Sequence, residues 1–433
     1  MRKRLATTKR RVALGASVVA LVFACIVIYV HKQQLREEAA LSAAAGGAVP
    51  PSYEQVHGDA SATSPPILKS DVVSVRQDDD KRAVQCVAAK KNVLLAGNRP
   101  VGTYLCAYFP TAKAHASGCV IPCRPKHPMS RENGVEGSFT CTIVNMGSRA
   151  QLKSADVVVN HHGPVPTKFS LLEPTLTVFY SGESNISEGK KSFQSYQEKY
   201  DVAVSFHQHR PLYFTWTNRF TQDFEAALTG QLQKGWPEWS ERRNAVAIFV
   251  SRCKKGGREA VIQALSKHYP VHSFGKCHRT HSIEQEFPAC AALAGGRYPQ
   301  KLCVFRQYKY ILALDNSREK DYVTEKVYHA LIAGALPIYD GAPNADVFLP
   351  GGWPSIVRLS DFDANGAGVD YSALAEKLRE LQDPASPELG TKRLWSSAKS
   401  EHDWGHGFVE NLHHEEPTCE LCDAARWKRC LGG

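Results

Sequence analysis

Three stretches carry side chains able to do chemistry. Residues 315–326 read Asp315-Asn316-Ser317-Arg318-Glu319-Lys320-Asp321-Tyr322-Val323-Thr324-Glu325-Lys326, follow a short apolar run and open into a helical pattern. A helix N-terminus presents free N–H groups and a positive field, which suit phosphate oxygens. Lys326 on that first turn adds a point charge for a diphosphate. Glu325 can accept from ribose hydroxyls, and Asn316 and Tyr322 can frame a nucleotide. The second stretch is Ser251-Arg252-Cys253, followed by a glycine pair and Arg258 at another helix start. The third, Phe179-Tyr180-Ser181-Gly182-Glu183-Ser184-Asn185, sets an acid just past an apolar strand, where Glu183 can face a cleft as a base. Each has an ordinary explanation when taken singly: a capped surface helix with an acid–base pair, a surface arginine, a solvated loop acid. Two phosphate-suited turns in one domain shift the balance toward a diphosphate-binding cleft.

The elements that must position these groups are legible in the second half of the chain. Runs at 245–250, 310–314, 335–339 and 356–359 are short and apolar enough for buried strands. Between them, 258–268, 321–333 and 371–382 place apolar residues at helical spacing, as Val323, Val327, Ala330 and Leu331 do. Such alternation implies a parallel sheet covered by helices, whose ligands bind where strands end and helices begin. That rule points to the turns after Val250 and after Leu314. From about 83 to 235 the strand-like runs are 92–96, 104–109, 156–160, 175–180 and 201–206, with weak helical patterns between them, so their order in a sheet is open. The Trp-, Glu- and Arg-rich stretch 235–244 marks the boundary between two domains, expected at 83–240 and 241–410. A Cys-rich tail follows at 411–433. No internal repeat is found.

The chain opens with Arg2, Lys3, Arg4, Lys9, Arg10 and Arg11, then runs without a charge from Val12 to Val30. Nineteen residues at ~1.5 Å each span about 28 Å, close to the hydrocarbon core of a bilayer. The basic flank keeps residues 1–11 in the cytosol and sends the remainder across, so 12–30 reads as a single transmembrane signal anchor. A cleaved signal peptide fits less well, because the apolar run exceeds the usual length. Residues 31–82, rich in Ala, Ser, Pro and Gly, read as a flexible stem. The formal net charge is +10. Outside the six N-terminal cations the bias is mild, suited to an anionic substrate and too weak for nucleic acid. Cys25 lies in the anchor, and the other cysteines fall beyond it on the oxidising side, where several disulfides are expected, with connectivity open. Asn185-Ile186-Ser187 is a glycosylation sequon there.

The segment 315–341, DNSREKDYVTEKVYHALIAGALPIYDG, resembles the signature of the α1,3/4-fucosyltransferase family, which reads roughly ENS, DYITEK, NAL, G.VPV..G. Upstream pieces agree in order. ADVVVNHH at 155–162 is similar to the family's ADAVVFHH, YSGESN at 180–185 to its ES strand end, and FVSRC with a following Arg at 249–258 to its VVSN and Arg. VHSFGKC at 271–277 and VRLSDF at 357–362 also resemble family segments. The resemblance covers about 153–362. It implies an α/β fold of GT-B type, two Rossmann-like domains facing a cleft, in a Golgi type II membrane protein with a lumenal catalytic body. It implies GDP-fucose as donor, bound in the C-terminal domain, and a GlcNAc-containing glycan as acceptor, bound largely by the N-terminal one. Lys326 and Arg258 would hold the diphosphate, and Glu325 the ribose. Asn316, Tyr322 and Ser251 would line the nucleotide, and Glu183 would be the base of an inverting transfer forming an α1,3 or α1,4 linkage. Arg252 stands where the family usually has Asn, adding a candidate donor contact, and Asp315 where it usually has Glu. A Cys-x-x-Cys near the C-terminus is common in the family, which implies a Cys419–Cys422 disulfide.

The reaction so implied needs no cofactor and no metal ligand set, since cations can meet the leaving diphosphate, although stimulation by a divalent cation is compatible with it. Rival readings are a metal-dependent transferase of different donor using Asp78-Asp79-Asp80 or Asp361-Phe362-Asp363, a zinc knot of Cys419, Cys422 and Cys430 with His413 and His414, and an inactive glycan-binding relative. Acceptor, linkage and oligomeric state are not legible in the sequence.

Overall fold

A computed structural model of the chain describes residues 77–97, 105–106, 113–115, 118–145, 154–160, 175–184, 199–208, 212–251, 257–294, 296–363 and 366–431. The expected anchor, nearly all of the stem, Asn185 and Arg252 lie outside the described residues. Among those residues no helix is long and apolar enough to cross a membrane.

Two compact units emerge. One takes in the chain up to Ala89 and residues 126–136, and the other takes in 90–125 and 137–433. In the first, helix α1 (Gln77–Ala89) corrects the expected stem, whose last residues are helical rather than linker. The physical reason is a helix-compatible sequence: Ala83 and Val87 recur at i,i+4 and are buried. The Asp-x-Asp pattern at 78–80 is thus part of a helix.

The second unit holds both sheets. Strands β1 (Asn92–Gly97), β2 (Lys113–His115), β3 (Gly118–Cys123), β4 (Phe139–Asn145), β5 (Val157–Asn160), β6 (Leu176–Tyr180) and β7 (Val202–Val204) form a seven-stranded sheet in the order β2-β3-β4-β1-β5-β6-β7. The pairs β1–β4, β1–β5, β5–β6 and β6–β7 are parallel, while β3 runs antiparallel to β2 and β4. The hairpin partners β3 and β4 escaped the sequence reading, although β4 alternates buried Phe139, Cys141 and Ile143 with more exposed neighbours. Leu105 and Cys106, expected in a strand over 104–109, are helical instead, and the Cys106–Cys119 disulfide ties that turn to β3.

After helix α2 (Thr221–Leu228), strand β8 (Arg243–Ile248), helix α3 (Arg258–Leu265), strand β9 (Val271–Ser273), helix α4 (Arg297–Phe305), strand β10 (Tyr308–Leu314), helix α5 (Glu325–Ile332), strand β11 (Leu336–Asp340), strand β12 (Val357–Arg358) and helix α6 (Tyr371–Glu380) follow. The five strands are all parallel, in the order β12-β11-β10-β8-β9. Every residue of β10 is buried, as a strand covered on both faces requires. The chain builds β8 and β9 to one side, then returns to lay β10, β11 and β12 on the other. The direction of construction therefore switches between β8 and β10, where open parallel sheets bind ligands.

Within the expected tail, Thr418–Leu431 forms helix α7, whose Leu421, Cys422 and Ala425 belong to the core of the seven-stranded sheet. The expected Cys419–Cys422 disulfide is corrected: Cys419 bonds Cys123 of β3 and Cys422 bonds Cys141 of β4. The reason is geometric. Residues i and i+3 share one helix face, and the strand period of two turns Cys123 and Cys141 to the sheet face that α7 covers. Cys430 is also disulfide-bonded, so the thiols of the zinc reading are consumed. Cys290 and Cys303 also form a disulfide.

Candidate active site

Ser251 lies three residues past the end of strand β8, and Arg258 opens α3. The Arg258 side chain is 6% exposed, its Nε donating to the carbonyl of Leu314 at 3.1 Å. The guanidinium of the β8–α3 turn thus reaches the end of β10. Burial lowers its pKa, and Asp315, Tyr322, Glu325 and Glu183 oppose that.

From β10 the chain runs through Asp315 into α5. Asp315 is buried and accepts from the Tyr339 hydroxyl at 3.1 Å and from the Thr324 hydroxyl. Thr324 stands at the N-cap position of α5 but directs its hydroxyl to Asp315, not to the helix amides. Lys326 Nζ donates to Thr324 Oγ1 at 2.8 Å and lies 3.6 Å from Asp315 Oδ1 and 3.4 Å from Glu325 Oε1. Burial pushes the Asp315 carboxyl up, and Lys326 pulls it back down. At Glu325 burial acts upward too, yet Lys326 and Lys301 hold the carboxyl down at about 2, so it is an anion and a hydrogen-bond acceptor at neutral pH. Gly341 follows β11 where a Cβ would come within 2.7 Å of Asp315 Oδ2, so the backbone passes too close for any side chain.

Glu183 comes from the other sheet. It follows β6, whose continuation Ser181 N donates to the carbonyl of Val204 at 3.0 Å. Its Oε2 accepts from Asn316 Nδ2 at 2.9 Å and from the Tyr322 hydroxyl at 3.4 Å. The next residues also pair, Ser184 Oγ with Ser317 Oγ, both buried. Tyr322 sits in the core of the seven-stranded sheet, edge-on to Phe206 at 4.9 Å, although it arises from the loop of the other sheet. Burial first, then Asp315, Glu183 and Glu325, push its hydroxyl far above the ordinary value, so it stays protonated and able to donate.

These groups line one cavity of about 510 Å³, within the range of small-molecule sites. The structure brings together every described residue of the expected catalytic and donor-binding set: Glu183, Ser251, Arg258, Asn316, Tyr322, Glu325 and Lys326. Sequence reasoning missed Trp216, Arg219, Phe249, Lys301 and Phe305 on the same walls. Arg219 lies 5.1 Å over the Trp216 ring and Lys301 5.2 Å over that of Phe305. Lys301 rides on α4, a helix whose apolar face includes buried Val304 and Phe305, a pattern available in the sequence. Asp361 and Asp363 are not among the lining residues; Asp361 pairs with Arg358 at 2.6 Å and Asp363 accepts from the Gly368 amide at 2.8 Å. Among the described residues no group of three or more His, Cys, Asp or Glu is placed to hold a metal ion.

Comparison with known proteins bears on the half that carries α3 to α7. Residues 239–430 match the C-terminal domain of glycosyltransferase family 10 (fucosyltransferase). The chain is 29% identical over 152 residues to alpha-(1,3)-fucosyltransferase B of Drosophila melanogaster, covering 35% of this chain and 33% of that protein. It is 30% identical over 162 residues to GDP-fucose protein O-fucosyltransferase 3 of Xenopus tropicalis, covering 36% and 32%. The chain thus spans about a third of the length of these curated relatives. Among solved structures, an α1,3-fucosyltransferase with GDP-fucose superposes at a TM-score of 0.44 and 14% identity, over 77% of this chain and 96% of that one.

Proposed function

With a family 10 fucosyltransferase domain over residues 239–430 as premise, we propose that the chain transfers L-fucose from GDP-β-L-fucose to a GlcNAc hydroxyl of a glycoprotein glycan, with inversion, forming an α1,3 or α1,4 link. The two sheets read as the two halves of a GT-B fold, and the site as the cleft of that fold. One observation carries the proposal: a carboxylate at the end of one sheet shares a single cavity with two cations at the strand ends of the other.

The chemistry follows from those charges. Inversion is a single in-line displacement through an oxocarbenium-like state, so one base for the acceptor hydroxyl suffices. Glu183 fills that place. The leaving group is a nucleoside diphosphate, an anion that needs positive charge rather than a proton. Arg258, Lys326 and the first turns of α3 and α5 supply it inside a walled cavity. Glu325, an anion held between cations, suits ribose hydroxyls, and Ser251 suits the nucleotide's polar edge. Arg252 adds a donor contact in this reading. In this reading the basic and then apolar N-terminal sequence anchors a single-pass Golgi protein with its body in the lumen, and the disulfides support an oxidising compartment.

A second acceptor class merits a place. The family match lies in the donor half, and one relative is named a protein O-fucosyltransferase, so a hydroxyl on a polypeptide is the alternative to GlcNAc. The test is turnover of GDP-fucose by the purified full chain on a glycan array and on hydroxyl-bearing folded peptides. Glu183→Gln is expected to keep donor binding and lose transfer by at least about a hundredfold. Absence of fucose transfer to either class, with GDP bound, would leave an inactive binding relative. Activity abolished by chelation and restored by manganese would favour a metal-dependent mechanism.

A further inference from the structure

The seven described residues expected to bind or react do not divide as the family resemblance implied. Asn316 and Tyr322 would line the nucleotide in that reading. In the structure both donate to the same atom, Oε2 of Glu183, at 2.9 and 3.4 Å. Among the described residues Oε1 carries no hydrogen bond. We infer that Asn316 and Tyr322 are positioning residues for the base: they fix Oε2 so that Oε1 is presented to the acceptor hydroxyl. The inference rests on Glu183 being the base of the proposed transfer.

The geometry explains why a carboxylate on a loop would be held this way. Glu183 lies past the end of β6, and a free side chain there would sample several rotamers. Two donors on one oxygen select one of them. Both donors are themselves fixed. Tyr322 is 2% exposed, packed edge-on to Phe206 in the seven-stranded sheet's core, and its hydroxyl stays protonated. Asn316 is followed by buried Ser317, whose hydroxyl meets that of Ser184. Residues 183–184 and 316–317 are thus joined pair by pair, Glu183 to Asn316 and Ser184 to Ser317. The loop that binds the donor therefore also sets where the base stands, and the attacking oxygen is aligned with the anomeric carbon through one short segment. Misplacement by about an ångström is enough to cost a large factor in rate.

The test separates rate from donor affinity. In the full chain, Asn316→Ala is expected to lower kcat for transfer about tenfold while the GDP Kd changes by less than about twofold. Tyr322→Phe, which keeps the ring and its packing, should act in the same direction with a smaller factor. In the Glu183→Gln background Asn316→Ala should add almost nothing, because the amide acts through the carboxylate. A GDP Kd raised about tenfold or more with kcat intact would return Asn316 to the nucleotide and overturn the inference. Equal loss of kcat in both backgrounds would overturn it as well. If Glu183→Gln alone left transfer intact, the assignment of the base would have failed and this inference with it. If Glu183→Gln abolished transfer and the double-mutant result went against coupling, only the positioning role would fall.

Discussion

Lys301 Nζ lies 3.0 Å from His329 Nδ1, so a helix that the motif does not include delivers a cation to the wall of the motif's cavity. Burial pulls Lys301 down to about 8, with Glu325 opposing and Lys326 adding to the fall. Burial, then Lys301 itself, keeps His329 well below its ordinary value, so the imidazole is neutral and its Nδ1 accepts from the ammonium. As pH rises through about 8 the cavity loses one positive charge, and a bound diphosphate loses attraction. GDP affinity by calorimetry is therefore expected to fall between about pH 7 and pH 9, and Lys301→Met is expected to bind more weakly at pH 7 with a flat profile over that window. The folded pKa lies below the ordinary lysine value of 10.5, so between those values the unfolded chain binds more protons and this group's contribution to stability rises with pH. Unfolding at this site cannot then account for the loss. An unchanged slope in Lys301→Met would refute the assignment.

Lys326 is held from two sides, by Thr324 Oγ1 at 2.8 Å and Asp315 Oδ1 at 3.6 Å, so its ammonium is pre-placed before any ligand arrives. Lys326→Ala should raise the GDP Kd about 10- to 100-fold, the scale of losing a hydrogen bond to a charged group. Asp315→Asn keeps the shape but frees the ammonium, and a smaller rise is expected. Equal affinity in Lys326→Ala and the parent would remove it from the diphosphate site.

The parallel sheet around this site was legible because its strands are uniformly apolar and its helices periodic, as β10 and α5 show. The chemistry at the ends of β8 and β10 followed from that topology. The seven-stranded sheet was harder. Its hairpin strands β3 and β4 carry Cys, Pro, Thr and Asn, and their buried face is completed by α7, a helix from the far end of the chain. No local pattern announces a partner nearly three hundred positions away, as the 296-residue separation of Cys123 and Cys419 illustrates. The same holds for Glu183: its residue type was legible, but its bonds to Asn316 and Tyr322 are properties of tertiary contact.

Glu416 precedes α7 and accepts from the Thr418 amide at 2.9 Å and from the Tyr180 hydroxyl at 3.4 Å. Burial pushes its carboxyl up to about 7, against the pull of those hydrogen bonds. A raised folded pKa means that the folded chain binds more protons between the ordinary value and about 7. The group's contribution is full below the ordinary carboxyl range and is lost as pH rises through 7. Glu416→Gln keeps an acceptor without the charge. It should melt close to the parent at about pH 4 and higher than the parent at about pH 8. A parent that gains on the variant as pH rises would reverse the sign and refute the account.

Gly334 closes α5 in a left-handed conformation, φ +70°, with its amide bonded to the carbonyl of Leu331 at 2.7 Å and that of Ala335 to Ala330 at 3.1 Å. This is the Schellman arrangement, and Ala330 and Ala335 share a core cluster as the motif favours. Space is as restrictive as conformation. A Cβ here would sit 2.4 Å from Cδ2 of Trp236 and 2.8 Å from Nη2 of Arg242. Trp236 cannot swing away without losing its Nε1 bond to the carbonyl of Ile332 at 3.0 Å, and Arg242 is tied to the carbonyl of Ala333 at 3.1 Å. The linker between the sheets is therefore packed directly beneath the helix that carries Glu325 and Lys326. Gly334→Ala combines a strained φ with an overlap that its neighbours cannot relieve, and should cost about 3 kcal/mol or more. Thermal melting would show this as a clear fall in midpoint. GDP added in excess should recover part of the loss by mass action, because the ligand binds the folded helix end. A Gly334→Ala protein that melts with the parent would mean that the Trp236 ring yields more readily than its hydrogen bond implies.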